Sequence, residues 1–316
     1  MDVSVVIPIY NEAEGLSELV RQVREALEPT GKSWELVLVD DGSRDGSDRL
    51  LEELAAAEPR LKPVWLIRNY GQSAALQAGF DAASGDIVVT LDGDLQNDPA
   101  DIPGLLRLFA ERPDVDMISG WRKLRQDAFV RRKLPSRAAN WLISKVTGVK
   151  LHDYGCALKA YRAGTLGRVR LYGEMHRFIP ALAAEAGARI LEVPVNHHPR
   201  AFGKSKYGLD RAIRVLLDLM LIKFLMRYLH RPLHAFGGAG LAMGVVGGVL
   251  LAWLLVEKLR GFEIGGRPLL ILGMLLVVVG VQFVVLGILG ELLVRIYHEP
   301  EGRPHYHTRE RPRARR

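Results

Sequence analysis

Cysteine is all but missing from this chain: Cys156 is the only one in 316 residues. A lone thiol excludes an intrachain disulfide and a cysteine-based zinc site. It also places the working domain in a reducing compartment. No zinc pattern surrounds His176 or the adjacent His197 and His198. The N-terminus lacks a basic stretch, apolar run and cleavage site in series, so no signal peptide is expected. No GxGxxG turn follows the first apolar run, which argues against a Rossmann-type dinucleotide site. Negative charge is outnumbered: 43 Lys and Arg stand against 36 Asp and Glu, a net charge of +7. That excess points to an anionic partner, and nucleic acid, acidic lipid and phosphorylated substrates all qualify.

What is present is alternation. Residues 3–9, 35–39, 64–67, 87–91 and 117–119 read as strands, and residues 12–27, 47–58, 73–83 and 102–111 carry helical periodicity between them. Ser47 and Asp98 read as helix N-terminal signals. The βαβα order predicts an α/β fold, a mostly parallel Rossmann-like sheet with helices on both faces, in a first domain of residues 1–208. From 122 to 172 the pattern turns basic and helical, and residues 190–195 offer one more strand.

The last third changes character. Residues 209–232 mix apolar side chains with Arg211, Arg214, Lys223 and Arg227, which fits an interfacial, juxtamembrane helix. An ordinary core helix is the competing reading. Residues 235–256 and 269–290 are nearly uncharged and long enough to cross a bilayer, so residues 233–294 are expected to form a two-helix transmembrane anchor. Gly240, Gly244 and Gly248 repeat at GxxxG spacing, compatible with close helix contact and equally with glycine merely tolerated in a membrane helix. Gln282 is the one strongly polar side chain of the second run, suited to a helix–helix bond or to function. Lys223, Arg227 and Arg231 precede the first run, and Arg295 with an arginine-rich tail follows the second. The connector holds Lys258, Arg260 and Arg267, mixed with Glu257 and Glu263. The positive-inside rule then places both termini, the first domain and the basic tail of residues 295–316 in the cytoplasm. Acidic lipid headgroups or plain solubility would account for that tail.

The polar residues collect at strand ends. The first strand runs into Tyr10 and Glu12, the second into Asp40-Asp41-Gly42-Ser43, the third into Arg68-Asn69-Tyr70-Gly71-Gln72. The fourth ends in Thr90-Leu91-Asp92-Gly93-Asp94-Leu95-Gln96, where hard oxygen ligands suit Mg²⁺ or Mn²⁺ carrying a diphosphate. Open α/β sheets bind ligands beyond the carboxyl ends of their strands, so these four ends mark one composite pocket. A nucleoside held by carboxylates, with its diphosphate bridged to a cation at Asp92 and Asp94, fits it. Asp40 reads as a turn-former and Asp41 as the ligand.

The set VVIPIYNE, LVDDGSRDGS, RNYGQSAALQAGFDAASGD and TLDGDLQNDP resembles the family 2 glycosyltransferases, whose catalytic domain has the GT-A fold. Ser119-Gly120-Trp121-Arg122, the segment from Asp153 to Lys159 and the segment from Arg200 to Tyr207, followed by paired apolar runs, are similar to polyprenyl-phosphate glycosyltransferases. That group includes dolichol-phosphate mannosyltransferases, bactoprenol glucosyltransferases and aminoarabinose transferases. The resemblance covers nearly the whole chain. It implies that Pro8, Tyr10, Glu12, Asp41 and Gln72 line the donor pocket, and that Asp92, Asp94 and Gln96 surround the metal and diphosphate. It further implies that Arg122, Arg132, Ser136, Arg200, Ser205 and Lys206 meet the phosphates of donor and lipid. Asp153 would open a motif near the sugar, and Glu174-Met175-His176-Arg177 would form another wall, although that last segment departs from the aminoarabinose pattern.

The implied reaction moves one sugar from a UDP- or GDP-hexose to undecaprenyl or dolichyl phosphate at the cytoplasmic face, with inversion and a divalent cation. A lipid monophosphate is already ionised near neutral pH, so catalysis would rest on orientation and on stabilising the departing diphosphate. The rival readings are transfer to another lipid or glycan, and a non-catalytic nucleotide-sugar-binding membrane protein. Nucleic acid finds no matching motif, and a homo-oligomer is compatible with the sequence.

Overall fold

A computed structural model describes residues 1–123, 140–171, 173, 175–199 and 232–298. The chain divides into two compact units, Met1–Leu219 and Met220–Arg316. The first is built on seven strands, β1 (Val3–Ile9), β2 (Trp34–Asp40), β3 (Leu61–Trp65), β4 (Ile87–Thr90), β5 (Met117–Trp121), β6 (Lys159–Arg162) and β7 (Ile190–Pro194), in the order β3-β2-β1-β4-β6-β5-β7. Pairing is parallel throughout except at β6, which runs antiparallel to β4 and β5.

Val3, Val5, Val6 and Ile7 have no exposed surface, because β1 lies between β2 and β4 and is covered on both faces. That burial explains its unbroken apolar run. Helix α1 (Ala13–Leu27) turns Leu16, Leu19, Val20, Val23 and Leu27 inward at helical spacing. Helices α2 (Ser47–Ala57), α3 (Gln72–Ala82) and α4 (Ile102–Glu111) follow β2, β3 and β4. Asp98 caps the 3-10 turn Pro99–Asp101 that leads into α4, accepting from the Ala100 N–H at 2.9 Å.

Two strands differ from expectation. β3 starts earlier, at Leu61, and carries Pro63; as an edge strand it can lose one N–H without breaking a ladder on its free side. β6 lies where the sequence reads as basic helix. It is four residues long, and the polar ends Lys159 and Arg162 mask the strand pattern around Ala160 and Tyr161, which are fully buried.

The strand order reverses between β1 and β4. Their ladder ends at Val6↔Thr90, with the Leu91 N–H reaching the Val6 carbonyl. Pro8 is the next residue of β1 to face that side, and its missing N–H leaves no donor for a further rung. The two strands part there, and the crevice beyond is the topological switch point where such sheets take ligands.

The second unit contains two helices, Pro232–Leu259 and Pro268–His298. Phe236–Leu259 and Pro268–Leu293 have mean hydropathies of 2.3 and 2.9 and are long enough to cross a membrane. Only 17% and 11% of their most apolar windows are buried, so the apolar side chains point outward, unlike those of a soluble core helix. Glycine brings the pair together: a Cβ on Gly240 would lie 2.5 Å from the Gly280 carbonyl oxygen, and one on Gly247 2.7 Å from that of Gly273. Gly244 also meets Gly280, whereas Gly248 faces open space and Gln282 is exposed. Residues 209–231 and the tail beyond residue 298 lie outside the described residues.

Candidate active site

The turn after β1 and the turn after β2 are stitched together by side chains of the second onto backbone of the first. Ser43 Oγ accepts from the Asn11 N–H at 2.9 Å, Ser47 Oγ from Glu12 at 3.1 Å and Asp45 Oδ2 from Ala13 at 3.0 Å. Asn11 Oδ1 returns the contact, accepting from the Arg44 N–H at 2.8 Å. The Asp-Gly-Ser-Arg-Asp-Gly-Ser run therefore satisfies the N–H of Ala13, the first residue of α1, and those of Asn11 and Glu12 just before it. Burial would raise the Asp45 carboxyl, but the Ser47 hydroxyl and three backbone N–H groups outweigh it and hold it low.

The second turn contains the pair Asp40-Asp41. Asp40 accepts from the Ser43 N–H and forms the turn. Asp41 is 3% exposed, and its two oxygens accept from the Tyr70 N–H at 2.7 Å and the Gly71 N–H at 2.9 Å. Its carboxylate therefore orders the loop after β3. Gly42 lets that loop approach: a Cβ there would sit 2.6 Å from the Arg68 carbonyl carbon. Beyond β1, β2 and β3 lies a hollow of about 330 Å³ lined by Tyr10, Asp40, Arg44, Trp65, Arg68 and Asn69, among others. Arg68 lies over the Tyr70 ring at 4.4 Å. Trp65 and Arg44 in this lining have no counterpart in the sequence reading.

The Asp92 turn lies across the crevice. Gly93 packs on β1, since a Cβ there would be 3.3 Å from the Pro8 carbonyl oxygen and 3.7 Å from Glu12 Cγ. Pro8, Glu12 and the Asp92-Gly93-Asp94 turn are thus brought together. Gln72, the first residue of α3, donates its amide to Asp92 Oδ1 at 2.7 Å. Asp94 Oδ1 accepts from the Gln96 N–H at 3.2 Å. Among the described residues, Asn11 and Leu95 are the non-glycine residues with positive φ, 56° and 58°. Both sit on the crevice turns, and Leu95 is held in a conformation that L side chains avoid. The chain returns beside this turn: Asn97 bridges His197, the His198 N–H reaches the Gln96 carbonyl, and Asn196 donates to Asp101.

The third wall is an ion pair. Arg122, at the end of β5, donates Nε to Asp153 Oδ2 at 2.7 Å and Nη2 to Oδ1 at 2.9 Å, with side chains 13% and 10% exposed. Burial works against the charge on Arg122, but hydrogen bonding and the fields of Asp153, Cys156 and Asp92 raise its pKa. Asp153 is pushed up by burial and pulled further down by Arg122, then by Lys159. Glu192 of β7 steadies the turn, accepting from the N–H groups of His152 at 2.8 Å and Asp153 at 3.0 Å. Gly155 leaves room, since a Cβ there would come 3.2 Å from Arg122 Nη2. Lys159, fully buried on β6, donates to the carbonyls of Tyr154 and Cys156; its pKa is lowered by burial, against the field of Cys156, Asp153 and Asp92. Cys156 is a packing residue whose thiol burial pushes up to about 11. Glu192 has no local sequence signal, because its partners His152 and Asp153 lie 40 and 39 residues back. Lys159 reads as one more basic residue until its burial against the Tyr154 and Cys156 carbonyls is seen.

Among the described residues no three His, Cys, Asp or Glu gather into a metal-binding group. Asp92 and Asp94 nonetheless fit a cation of the Mg²⁺ type, which takes one or two carboxylates and fills its other positions with phosphate and water. Arg132, Ser136, Glu174, Arg200, Ser205 and Lys206 lie outside the described residues.

Solved structures share this fold. A glucosyl-3-phosphoglycerate synthase from Mycobacterium tuberculosis, in complex with Mg²⁺ and uridine diphosphate, superposes with a TM-score of 0.55 at 17% identity, over 71% of this chain and 79% of that one. TarS 1–349 of S. aureus with UDP-GlcNAc gives 0.52 at 19% identity, over 71% and 67%. The architecture is that of a GT-A glycosyltransferase. The pattern described as Glycosyl transferase family 2 matches residues 4–174, and the chain belongs to that family. The dodecaprenyl-phosphate galacturonate synthase of Rhizobium johnstonii is 46% identical over 314 residues, 98% of this chain and 93% of that protein. An undecaprenyl-phosphate 4-deoxy-4-formamido-L-arabinose transferase of Edwardsiella ictaluri is 42% identical, over 96% and 92%.

Proposed function

We propose that this enzyme transfers a single sugar from a nucleotide-sugar to the phosphate of a polyprenyl phosphate, with inversion, at the cytoplasmic membrane face. The observation that carries the reading is the likeness to relatives named for that reaction, which extends over 98% and 96% of the chain and so includes both apolar helices. Galacturonate and formamido-arabinose, the sugars in those names, rank ahead of glucose and mannose as donors.

The hollow bounded by Tyr10, Trp65 and Arg68 would take the nucleoside, stacking the base on an aromatic face. Asp41 would act through the loop it ties down. Asp92 and Asp94, with Gln96 at the turn, would hold a divalent cation, which supplies positive charge to the departing diphosphate. An acceptor phosphate oxygen attacks the anomeric carbon as the bond to the nucleoside diphosphate breaks, and the leaving group keeps the electron pair. The acceptor is already an anion, so no side chain need remove a proton. Arg122 would face the phosphates with its fork fixed by Asp153, which makes Asp153 a positioning residue rather than a base. Arg132, Ser136, Arg200, Ser205 and Lys206 complete the proposed phosphate contacts.

The test uses the purified full chain, Mg²⁺ or Mn²⁺, undecaprenyl phosphate and a panel of UDP- and GDP-sugars that includes the two named above. A glycolipid should form with one donor; no product with any would sink the proposal. Asp94→Ala should abolish turnover and leave the melting temperature unchanged, and near-normal activity would remove the cation role.

A further inference from the structure

The first turn of α3 is held from two sides. On one side, Asp41 takes the N–H groups of Tyr70 and Gly71. On the other, buried Ser73 meets the 3-10 turn Met175–Phe178. The His176 N–H donates to Ser73 Oγ at 3.1 Å, and the His176 ring places Nδ1 3.0 Å from the same oxygen. Arg177 Nε donates to the other ring nitrogen, Nε2, at 3.4 Å. A neutral imidazole carries one proton, so an accepting Nε2 assigns that proton to Nδ1, which then donates to Ser73. Burial first, then the charges of Arg177 and Lys159, lower the His176 pKa to about 3, so the ring is neutral.

Between the two anchor points stands Gln72, whose amide reaches Asp92 Oδ1 at 2.7 Å. We propose that His176 is a positioning residue that acts through Ser73 to fix the Gln72–Asp92 hydrogen bond, and with it the direction in which Asp92 presents its other oxygen to the donor diphosphate and its cation. A turn 103 residues away in sequence from Ser73 thereby sets the aim of a carboxylate it does not touch. Serine suits the junction because its hydroxyl oxygen accepts both His176 donors. A ring with one donor and one acceptor suits the other half, since a second positive charge beside Arg177 would be repelled. The inference rests on the reading of Asp92 as the carboxylate at the diphosphate and cation.

The experiment measures Mn²⁺ affinity by electron paramagnetic resonance with UDP and with GDP, alongside kcat and KM, on the full-length chain. The variants are His176→Ala, His176→Asn, Ser73→Ala, Gln72→Ala, Asp92→Asn and the double variant His176→Ala with Gln72→Ala. Outer-shell partners of ligating groups typically contribute about 10–100-fold. His176→Ala and Ser73→Ala should each weaken Mn²⁺ binding and lower kcat by about tenfold, with KM for the acceptor unchanged. His176→Asn keeps a donor near Nδ1 and should restore most of the loss. In the Gln72→Ala background, His176→Ala should have no further effect. Losses that multiply in the double variant, or unchanged Mn²⁺ affinity in both His176→Ala and Ser73→Ala while Asp92→Asn weakens it, would overturn the inference. Unchanged affinity in Asp92→Asn would overturn the underlying reading and this inference with it. Ser73→Ala leaves the histidine in place, so it decides the question should His176→Ala fail to fold.

Discussion

Arg122 and Asp153 compensate each other's charge in a site where neither could stand alone. Each is largely out of water, and the bidentate geometry offsets a desolvation cost that a surface pair never meets. Asp153→Asn leaves the guanidinium charge buried without its partner and should cost about 3–5 kcal/mol, read from chemical denaturation in detergent. The folded Asp153 carboxyl sits below its ordinary value, so its contribution is present above the unfolded pKa and lost as pH falls through the folded one. Acidification below about pH 4 should lower the melting temperature of the parent chain more than that of the Asn variant. His176 acts at a milder pH. Among the described residues, Ser73, Arg177 and Lys159 act on the ring, and none of the three is a carboxylate that would steady a protonated form. The unfolded chain takes up a proton near pH 6.5 and the folded one only near 3, so stability should decline between those values. His176→Asn should flatten the upper part of that decline, and an unchanged pH–melting curve would contradict the assignment. Sequence makes Asp153 and Arg122 visible as candidates, but not that they pair, because 31 residues separate them.

At the scale of elements, the alternation of strands and helices is readable because burial on both faces writes an apolar run into β1, β2 and β4. The edge strand β3, with exposed Lys62 and Trp65, reads three residues late. The turn chemistry is readable only in part. Ser47 reads as the start of its own helix, yet its hydroxyl and Asp45 also serve the N-terminus of α1, 35 and 32 residues back. Local pattern carries no trace of that exchange. Asp41 reads as a ligand, and nothing local predicts that the loop at Tyr70 will also donate to both its oxygens. Asp45→Ala removes an acceptor from the Ala13 N–H and from both donors of Ser47. It should cost about 1 kcal/mol, as lost helix caps do, and raise the KM for the donor because the crevice turn after β1 loosens. A change in stability with no change in donor KM would show that the stitch serves the fold alone. β6 escapes the sequence reading for a simpler reason: four residues are too few to establish a period.

For the whole molecule, charge predicts sidedness. The connector between the apolar helices contains Lys258, Arg260 and Arg267 against Glu257 and Glu263, whereas the residues after the second helix are rich in arginine. Charge bias orients short-looped spans, so the connector should lie opposite the catalytic unit and the tail. The chain's own chemistry makes this measurable. Cys156 has no exposed surface, and burial pushes its thiol up to about 11, so the native protein should be silent toward an impermeant maleimide. Gly265 in the connector and Glu53 on α2 are both exposed and can each be replaced by cysteine. Gly265→Cys should label in right-side-out vesicles and Glu53→Cys only in inverted ones. Labelling of both from the same side would mean that the apolar pair does not cross the bilayer. The reverse pattern would place the donor site on the face away from the cytoplasmic nucleotide-sugar pool, and the proposed reaction would then lose its substrate.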